Sequence, residues 1–161
     1  MRYRTIESPI GPLLLAGDDE GVRFLLFSTG RYRAQPQPEW EADRGSLNDI
    51  AAQLTSYFAG KLRAFDSPVA PQGTPFQQQV WRALCDIPYG TTTSYAELAR
   101  RIGNPKAVRA VGLANGSNPI SIIIPCHRVI GSNGSLTGYG GGLPIKKALL
   151  DLERGQRSLL A

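Results

Sequence analysis

Cys126 and His127 stand side by side in the segment Pro125-Cys126-His127-Arg128, and they are the residues of this chain best suited to chemistry. The chain has two cysteines and a single histidine, and that histidine follows one of the cysteines directly. A thiol is a good nucleophile only as the thiolate, which a neighbouring base commonly generates near neutral pH. The pair therefore predicts a reactive cysteine. The alternative is a buried structural cysteine beside an unrelated histidine, which the position of the only histidine disfavours.

A pair of this kind needs a third group that orients the imidazole and stabilises its cationic form. Glu153 is the candidate, because it lies at the edge of the apolar face of the last predicted helix, where a solvated carboxylate is not expected. The β-branched run over residues 120–124 predicts a short buried strand that ends at the pair. Neighbouring side chains point to opposite faces of a strand. The thiol and the imidazole therefore meet only if the chain turns at Pro125 and Cys126, or if a water bridges them.

Composition narrows the class of protein. The 161 residues are 42% hydrophobic and 19% charged, which suits a globular protein of one domain or of two small domains. No apolar run approaches the roughly 20 residues that span a bilayer. The N-terminus lacks the apolar segment of a signal peptide. We therefore expect no membrane association and a cytoplasmic protein with reduced thiols.

Metal chemistry is not expected from this composition. Two cysteines and one histidine are too few for a four-ligand Cys/His zinc site, and no cofactor is predicted. The net charge of +5 permits a polyanionic partner, although a solvated basic surface explains it equally well.

The N-terminal part predicts a small antiparallel sheet covered by one helix. Strands are expected over residues 3–6, 13–16 and 22–27, a loop over 28–45, and a helix from Leu47 to Phe58 that stops at Gly60. A Pro-rich extended linker over residues 67–73 places a boundary near residue 72. The predicted domains are therefore 1–72 and 73–161.

The second part predicts helices with clear capping signals. Thr74 with Gln77, and Ser94 with Glu97, form two capping boxes. Cys85 is expected to be a small buried hydrophobic side chain. Further helices are predicted from Asn104 to about residue 114 and over residues 144–154, the last preceded by a glycine-rich loop over 131–142. The fold class is therefore α/β (α+β), with a helical second part.

The two short helices joined by a turn at Gly103 form a helix-turn-helix pattern. The second helix offers the cations Lys106 and Arg109 among small residues such as Ala107 and Ala110. Small side chains let the backbone approach closely while cations neutralise phosphates, which favours sequence-independent binding in the minor groove of DNA. The alternative is a helical hairpin that only packs against its own domain.

The segment Gly138-Tyr139-Gly140-Gly141-Gly142 is not a phosphate-binding Walker A loop, because it lacks the terminal Lys-Ser/Thr pair. We interpret it as a wall that admits a flat ligand, with Tyr139 available for stacking. A plain surface loop is the alternative.

Taken together, these residues resemble the O6-alkylguanine-DNA alkyltransferases. The similarity is strongest over residues 74–154, and the Pro-Cys-His-Arg core is its most specific part. The matching motifs are Phe76-Gln77-x-x-Val80-Trp81, Ile87-Pro88-Tyr89-Gly90, Ser94-Tyr95, Gly103-Asn104-Pro105, Arg109-Ala110-Val111-Gly112, Asn118-Pro119, Ile124-Pro125-Cys126-His127-Arg128-Val129 and Tyr139-x-Gly141-Gly142.

The resemblance implies direct damage reversal in double-stranded DNA that contains O6-alkylguanine. The damaged base is flipped out of the duplex, and Cys126 takes the alkyl group irreversibly, so each molecule acts once. His127 would act as base through a water, Glu153 would hold His127, and Asn118 would organise the active-site turn. Tyr95 would push the 3′ phosphate and assist flipping, and Arg109 would fill the vacated place in the base stack. The expected DNA-binding residues are Tyr95, Lys106, Ala107, Arg109, Ala110 and Arg128, and those expected to contact the flipped base are Val129, Tyr139 and Gly140.

The resemblance also implies a ribonuclease-H-like N-terminal subdomain, a winged-helix-like C-terminal subdomain, and a monomer that binds DNA with or without cooperativity. Members with an N-terminal zinc site use additional cysteines and a histidine that this chain lacks. Two other readings stay open from the residues alone: a winged-helix DNA-binding regulator with Cys126 as a redox sensor, and a cysteine hydrolase that uses Cys126, His127 and Glu153.

Overall fold

Three N-terminal strands form the sheet that the sequence predicts: β1 (Arg2–Ile6), β2 (Leu13–Asp18) and β3 (Gly21–Phe27). The computed structural model describes residues 1–28 and 34–155. Part of the predicted loop (29–33) and of the predicted C-terminal domain (156–161) lies outside the described residues. The strand order is β3-β2-β1-β4, with antiparallel β3/β2 and β2/β1 pairs.

A fourth strand corrects the predicted loop over residues 28–45. The two-residue strand β4 (Glu41–Ala42) pairs in parallel with β1. The Glu41 amide donates to the Met1 carbonyl (2.9 Å) and the Asp43 amide donates to the Tyr3 carbonyl (2.8 Å). A strand this short shows no alternating pattern, so the sequence gives no sign of it.

Helices make up most of the remaining chain, and the mixed α/β class is confirmed. Their bounds are α1 (Asn48–Phe58), α2 (Pro75–Cys85), α3 (Tyr95–Arg101), α4 (Val108–Gly116) and α5 (Leu143–Glu153), with a small parallel pair β5 (Thr93–Ser94) and β6 (Val129–Ile130) beside α3. No helix among these residues is long and apolar enough to cross a bilayer.

Of the two predicted capping boxes, one forms completely and the other forms in part. Thr74 and Gln77 form a complete capping box at α2. At α3 the predicted box is wrong in one half, since Ser94 Oγ accepts from the Glu97 amide but the Glu97 carboxylate binds Arg100 instead.

Two further expectations in this part are corrected. Helix α4 begins at Val108 rather than at Asn104, because residues 104–107 form a turn in which the Ala107 amide donates to the Asn104 carbonyl (3.0 Å). Cys85 is exposed rather than buried, because it lies in the last turn of α2 at the rim of a surface cleft.

One hydrophobic core joins the sheet to the helices. It runs from Leu13 and Leu25 of the sheet through Leu54 of α1 to Leu98 of α3 and Leu149 of α5, all essentially inaccessible to solvent. The N-terminal and C-terminal parts are therefore packed against each other rather than merely tethered.

Backbone hydrogen bonds along the outer edge of β3 also connect the two parts. The Leu25 amide donates to the Pro119 carbonyl (3.0 Å), and the Ser121 amide donates to the Leu25 carbonyl (3.1 Å). At the other end of the strand, the Val22 amide donates to the Pro68 carbonyl (3.0 Å). The sheet edge thereby fixes the segment that leads to Cys126.

Candidate active site

The segment before Cys126 is a buried turn, and the strand predicted over residues 120–124 is wrong. The Ile124 amide donates to the Ile120 carbonyl (3.0 Å), and Ile122 has a positive φ of 73°. The Asn118 side chain spans the turn, because its Oδ1 accepts from the Ile120 amide (3.0 Å) and its Nδ2 donates to the Ile124 carbonyl (2.8 Å). The apolar run is buried as expected, but Asn118 closes it into a turn instead of a strand.

Cys126, His127 and Arg128 form a single 3-10 turn, so the chain does turn at the predicted position. Cys126 is 5% exposed and lines a cleft of about 320 Å³, a volume at the low end of the roughly 300–1,000 Å³ of small-molecule sites. Both halves of the molecule contribute to this cleft, whose lining residues include Leu26, Phe27, Asn115, Asn118, Ser121, Cys126, Tyr139 and Gly140.

His127 and Glu153 meet in the interior, as the sequence predicts. The His127 ring is inaccessible to solvent, and its Nε2 donates to Glu153 Oε2 (2.7 Å). A charged carboxylate only accepts, so Nε2 carries the ring proton and Nδ1 is the basic nitrogen. Among the described residues, Nδ1 is buried and has no hydrogen-bond partner.

Burial of the site favours the neutral forms of both the thiol and the imidazole. Burial raises the pKa of the Cys126 thiol, although a hydrogen bond from Asn118 and the charge of Lys146 act in the opposite direction. Burial also lowers the pKa of His127, which the bond to Glu153 offsets only in part. The site therefore holds a neutral thiol and a neutral imidazole at pH 7.

Glu153 is a buried but charged carboxylate. Burial alone would raise its pKa, but hydrogen bonds from His127 and Arg128 hold the pKa well below its usual range. Arg128 supplies two of these bonds, from Nε to Oε1 (2.7 Å) and from Nη2 to Oε2 (2.9 Å). Tyr57 supplies a further one, from its hydroxyl to Oε2 (2.6 Å).

The assignment of Arg128 to the DNA-binding residues is wrong. Its side chain is 9% exposed. One edge of the guanidinium is committed to Glu153, and Nη1 donates to the Ile87 carbonyl (2.7 Å). With these groups engaged in the interior, Arg128 serves as the counter-charge of Glu153 and is not available to a phosphate.

The surface that was expected to contact DNA, formed by α4 and the turn before it, is open to solvent. Lys106, Arg109 and Ala110 are exposed and Ala107 is half-buried. Leu113, one turn after Arg109, is 70% exposed. Basic, small and apolar side chains therefore lie together on one accessible face.

Tyr95 and the glycine-rich loop lie beside this face. The Thr137 hydroxyl donates to the Tyr95 hydroxyl (3.0 Å), which joins the loop to the start of α3. The Tyr139 ring packs edge-on against Phe27 at a centroid distance of 5.6 Å. A Cβ on Gly141 would lie 2.9 Å from the Phe27 ring, so only glycine allows this approach.

Of the two residues whose backbone was expected to contact the flipped base, only Gly140 lines the cleft. Gly140 lines the cleft, whereas Val129 is fully buried and its carbonyl already accepts from Lys146 Nζ (2.6 Å). Lys146 also donates to the Thr137 carbonyl (2.8 Å), so it ties β6 to the glycine-rich loop.

Three residues of the site were missed from the sequence. Tyr57 and Phe27 belong to the N-terminal part, and their spacing marks only core positions. Lys146 did carry a signal, since Leu149 and Leu150 at i+3 and i+4 place it on the apolar face of α5. As for metal ligands, residues 1–28 and 34–155 contain no group of three or more His, Cys, Asp or Glu side chains that could hold an ion.

Comparison with known proteins places both parts of the chain in one family. Residues 75–155 match the model of the 6-O-methylguanine DNA methyltransferase DNA-binding domain, and residues 1–71 match that of its ribonuclease-like domain. The methylated-DNA–protein-cysteine methyltransferase of Methanosarcina acetivorans is 55% identical over 153 residues, which cover 95% of this chain and 98% of the relative. The crystal structure of Mycobacterium tuberculosis OGT in complex with DNA is also similar, with a TM-score of 0.91 and 51% identity over 99% of this chain and 97% of that chain. The chain therefore belongs to the 6-O-methylguanine DNA methyltransferase family.

Proposed function

We propose that this protein repairs double-stranded DNA by moving the alkyl group of O6-alkylguanine to Cys126, once per molecule and without a cofactor. The observation that carries the proposal is the position of Cys126 on a cleft, beside a neutral imidazole that a buried carboxylate orients. Family membership and a similar structure solved with DNA support the same reaction.

The transfer follows from the state of the three groups. His127 Nδ1, acting through a water, takes the proton of the Cys126 thiol, whose raised pKa keeps it neutral without a base. The sulfur forms a bond to the alkyl carbon while the bond from that carbon to O6 breaks. The electron pair passes to the purine, which takes up a proton from water and leaves as guanine, and His127 returns to water the proton that it took. Water does not cleave the thioether, because a thiolate is a poor leaving group from an alkyl carbon, so the protein is consumed.

The damaged base must leave the duplex to reach Cys126, because a stacked base cannot enter a cleft in the protein. In our proposal α4 lies in the minor groove, where Ala107 and Ala110 allow close approach and Lys106 neutralises phosphate. Arg109 fills the vacated place in the stack, and Tyr95 pushes the 3′ phosphate. Tyr139 stacks on the flipped base and the backbone at Gly140 contacts its edge, whereas the Val129 carbonyl is held by Lys146.

The proposal also covers the location of the protein, its oligomeric state and the roles of its two domains. The protein acts as a cytoplasmic monomer, and binding of several copies to one DNA duplex is compatible with this role. Residues 1–72 form the N-terminal domain and residues 73–161 the domain that binds DNA and accepts the alkyl group. Asn118 holds the turn before Cys126, within the second domain.

Intact-protein mass spectrometry tests the proposal directly. The protein is mixed with a short duplex that contains O6-methylguanine, and we expect one added methyl group per chain, located on Cys126 by peptide mapping. Cys126→Ser should bind the duplex and gain no mass. Cys85→Ser is the matched control, because it removes the other cysteine, and it should still gain one methyl group.

The same experiment separates the two rival functions. Sequence-selective DNA binding without a mass change would support a regulator. Repeated turnover of an ester or amide substrate by Cys126, without methyl uptake, would support a hydrolase.

A further inference from the structure

We propose that Tyr57 of the N-terminal part is a positioning residue for alkyl transfer, because it holds the carboxylate that orients His127. This inference rests on the proposed function. It assigns to α1, which lies outside the DNA-binding and cysteine-bearing segments, a direct connection to the reacting groups.

Tyr57 donates to the same carboxylate oxygen of Glu153 that orients His127. Its hydroxyl donates to Glu153 Oε2 (2.6 Å), the same atom that accepts from His127 Nε2 (2.7 Å) and Arg128 Nη2 (2.9 Å). Three donors therefore share Oε2, whereas Oε1 accepts from Arg128 Nε. The hydrogen bond from Tyr57 spans 96 residues of sequence.

Core packing alone accounts for the ring of Tyr57 but not for its hydroxyl. The ring packs against Phe58, Phe65 and Tyr89 at centroid distances of 5.4, 5.5 and 6.3 Å. A phenylalanine would keep these contacts and remove only the bond to Glu153. Burial, and after it the charge of Glu153, raises the pKa of Tyr57 well above its usual value, so the hydroxyl stays a donor throughout the working pH range.

The hydroxyl should moderate how strongly Glu153 acts on His127. Hydrogen bonds from Tyr57 and Arg128 draw negative charge from the carboxylate, and less remains to favour the protonated imidazole. Loss of the Tyr57 bond should therefore raise the pKa of His127. The other titratable and charged groups around this pair are unchanged by the substitution; they are Arg128, Lys146, Cys126, Tyr89 and Tyr139.

The test is Tyr57→Phe, followed by NMR titration of the imidazole. Since His127 is the only histidine, its ring signals report one residue without assignment ambiguity. We expect the midpoint of the titration to rise by about one pH unit, as the loss of one charge-assisted hydrogen bond implies. The low-pH limb of alkyl transfer from free O6-benzylguanine should move upward by the same amount.

Tyr89→Phe is the matched control, because the Tyr89 ring lies in the same aromatic cluster and its hydroxyl makes no hydrogen bond among the described residues. It should leave both the titration and the rate profile as in the wild type. In a His127→Gln background, adding Tyr57→Phe should change the transfer rate less than twofold, since its route of action is gone.

Several outcomes would overturn the inference: an unshifted His127 titration in Tyr57→Phe, an equal shift in Tyr89→Phe, or an undiminished effect in the His127→Gln background. The titration does not depend on alkyl transfer, so a failure of the proposed function is seen separately, as an absent mass gain in the wild type.

A measurement on the wild type covers the case in which Tyr57→Phe does not fold. The Tyr57 hydroxyl proton and the His127 Nε2 proton are both buried, so they should exchange slowly with water. Because both point at Glu153 Oε2, they should also be close enough to show a nuclear Overhauser cross-peak to each other. Absence of this cross-peak, with both protons visible, would also refute the inference.

Discussion

At the scale of single residues, burial determines the protonation states of both Cys126 and His127. Cys126 lies where charge is costly, so its thiol is less acidic than one in water. His127 lies beside it and is kept neutral by the same burial. A neutral imidazole can accept a proton, so in our proposal His127 is the base that sets the pH range of alkyl transfer.

Substitution of His127 by glutamine tests this dependence. At pH 7 we expect His127→Gln to slow transfer from free O6-benzylguanine by about 100-fold or more, the range of general base catalysis. The remaining rate should increase about tenfold per pH unit up to the pKa of the thiol, because only the spontaneously ionised fraction reacts. Rates measured between pH 6 and 10 give both values. A variant rate that is independent of pH would contradict the role of His127 as base.

Residue types predicted the contact between His127 and Glu153, but they predicted the partners of other charged groups poorly. Cys126, His127 and Glu153 were recognisable because few residues can form a nucleophile, a base and its support. Arg128 was misassigned because an arginine next to a catalytic pair looks available to DNA, and only the fold shows that it neutralises Glu153. Tyr57 was missed because no local pattern connects residues so far apart in sequence.

At the scale of elements, our proposal assigns the contact with DNA to α4 and the chemistry to the 3-10 turn at Cys126. Capping residues and apolar spacing predicted most helices, although they placed the start of α4 too early. The buried turn before Cys126 could not be predicted, because a short β-branched run reads as a strand unless the amide of Asn118 is known to bridge it.

Arg109 on α4 provides the test at this scale. Arg109→Ala should lower the repair rate of duplex DNA about tenfold or more, because an unfilled gap leaves the neighbouring bases unstacked. Its reaction with free O6-benzylguanine should stay within twofold of the wild type, since the free base needs no stack filler. Arg82→Ala, which removes the same charge from the surface of α2, controls for electrostatic attraction. Equal losses on both substrates would show that Arg109 acts inside the site and not on the duplex.

At the scale of the whole molecule, the two parts of the chain build one site. β3 contributes Leu26 and Phe27 to the cleft, and its edge fixes the backbone at Pro119 and Ser121. The sequence predicted the class and the order of elements, because periodicity and turn residues are local. It did not predict that the N-terminal part lines the cleft, because that depends on long-range packing.

The shared core also links folding stability to the protonation of the site. Burial lowers the pKa of His127 in the folded protein. The unfolded chain then binds a proton near pH 6.5 that the folded protein binds only at lower pH. The contribution of the neutral His127 to the free energy of unfolding is therefore fully present above pH 6.5. It decreases as the pH falls from there to the pKa of His127 in the folded state. Each pH unit by which that pKa is lowered corresponds to about 1.4 kcal/mol.

Urea unfolding between pH 8 and pH 3 should resolve this loss as a first step. It belongs to His127, because no other histidine is present to titrate between pH 5 and 6.5. A second, steeper loss should follow below about pH 4.3, because Glu153 and other carboxylates with lowered pKa values, such as Asp18 and Asp43, are protonated in the unfolded chain at a higher pH than in the folded protein. In His127→Gln the first step should vanish and the second should remain. If the wild type and His127→Gln lose stability in parallel from pH 7 to pH 5, the buried neutral imidazole is not what couples the site to the fold.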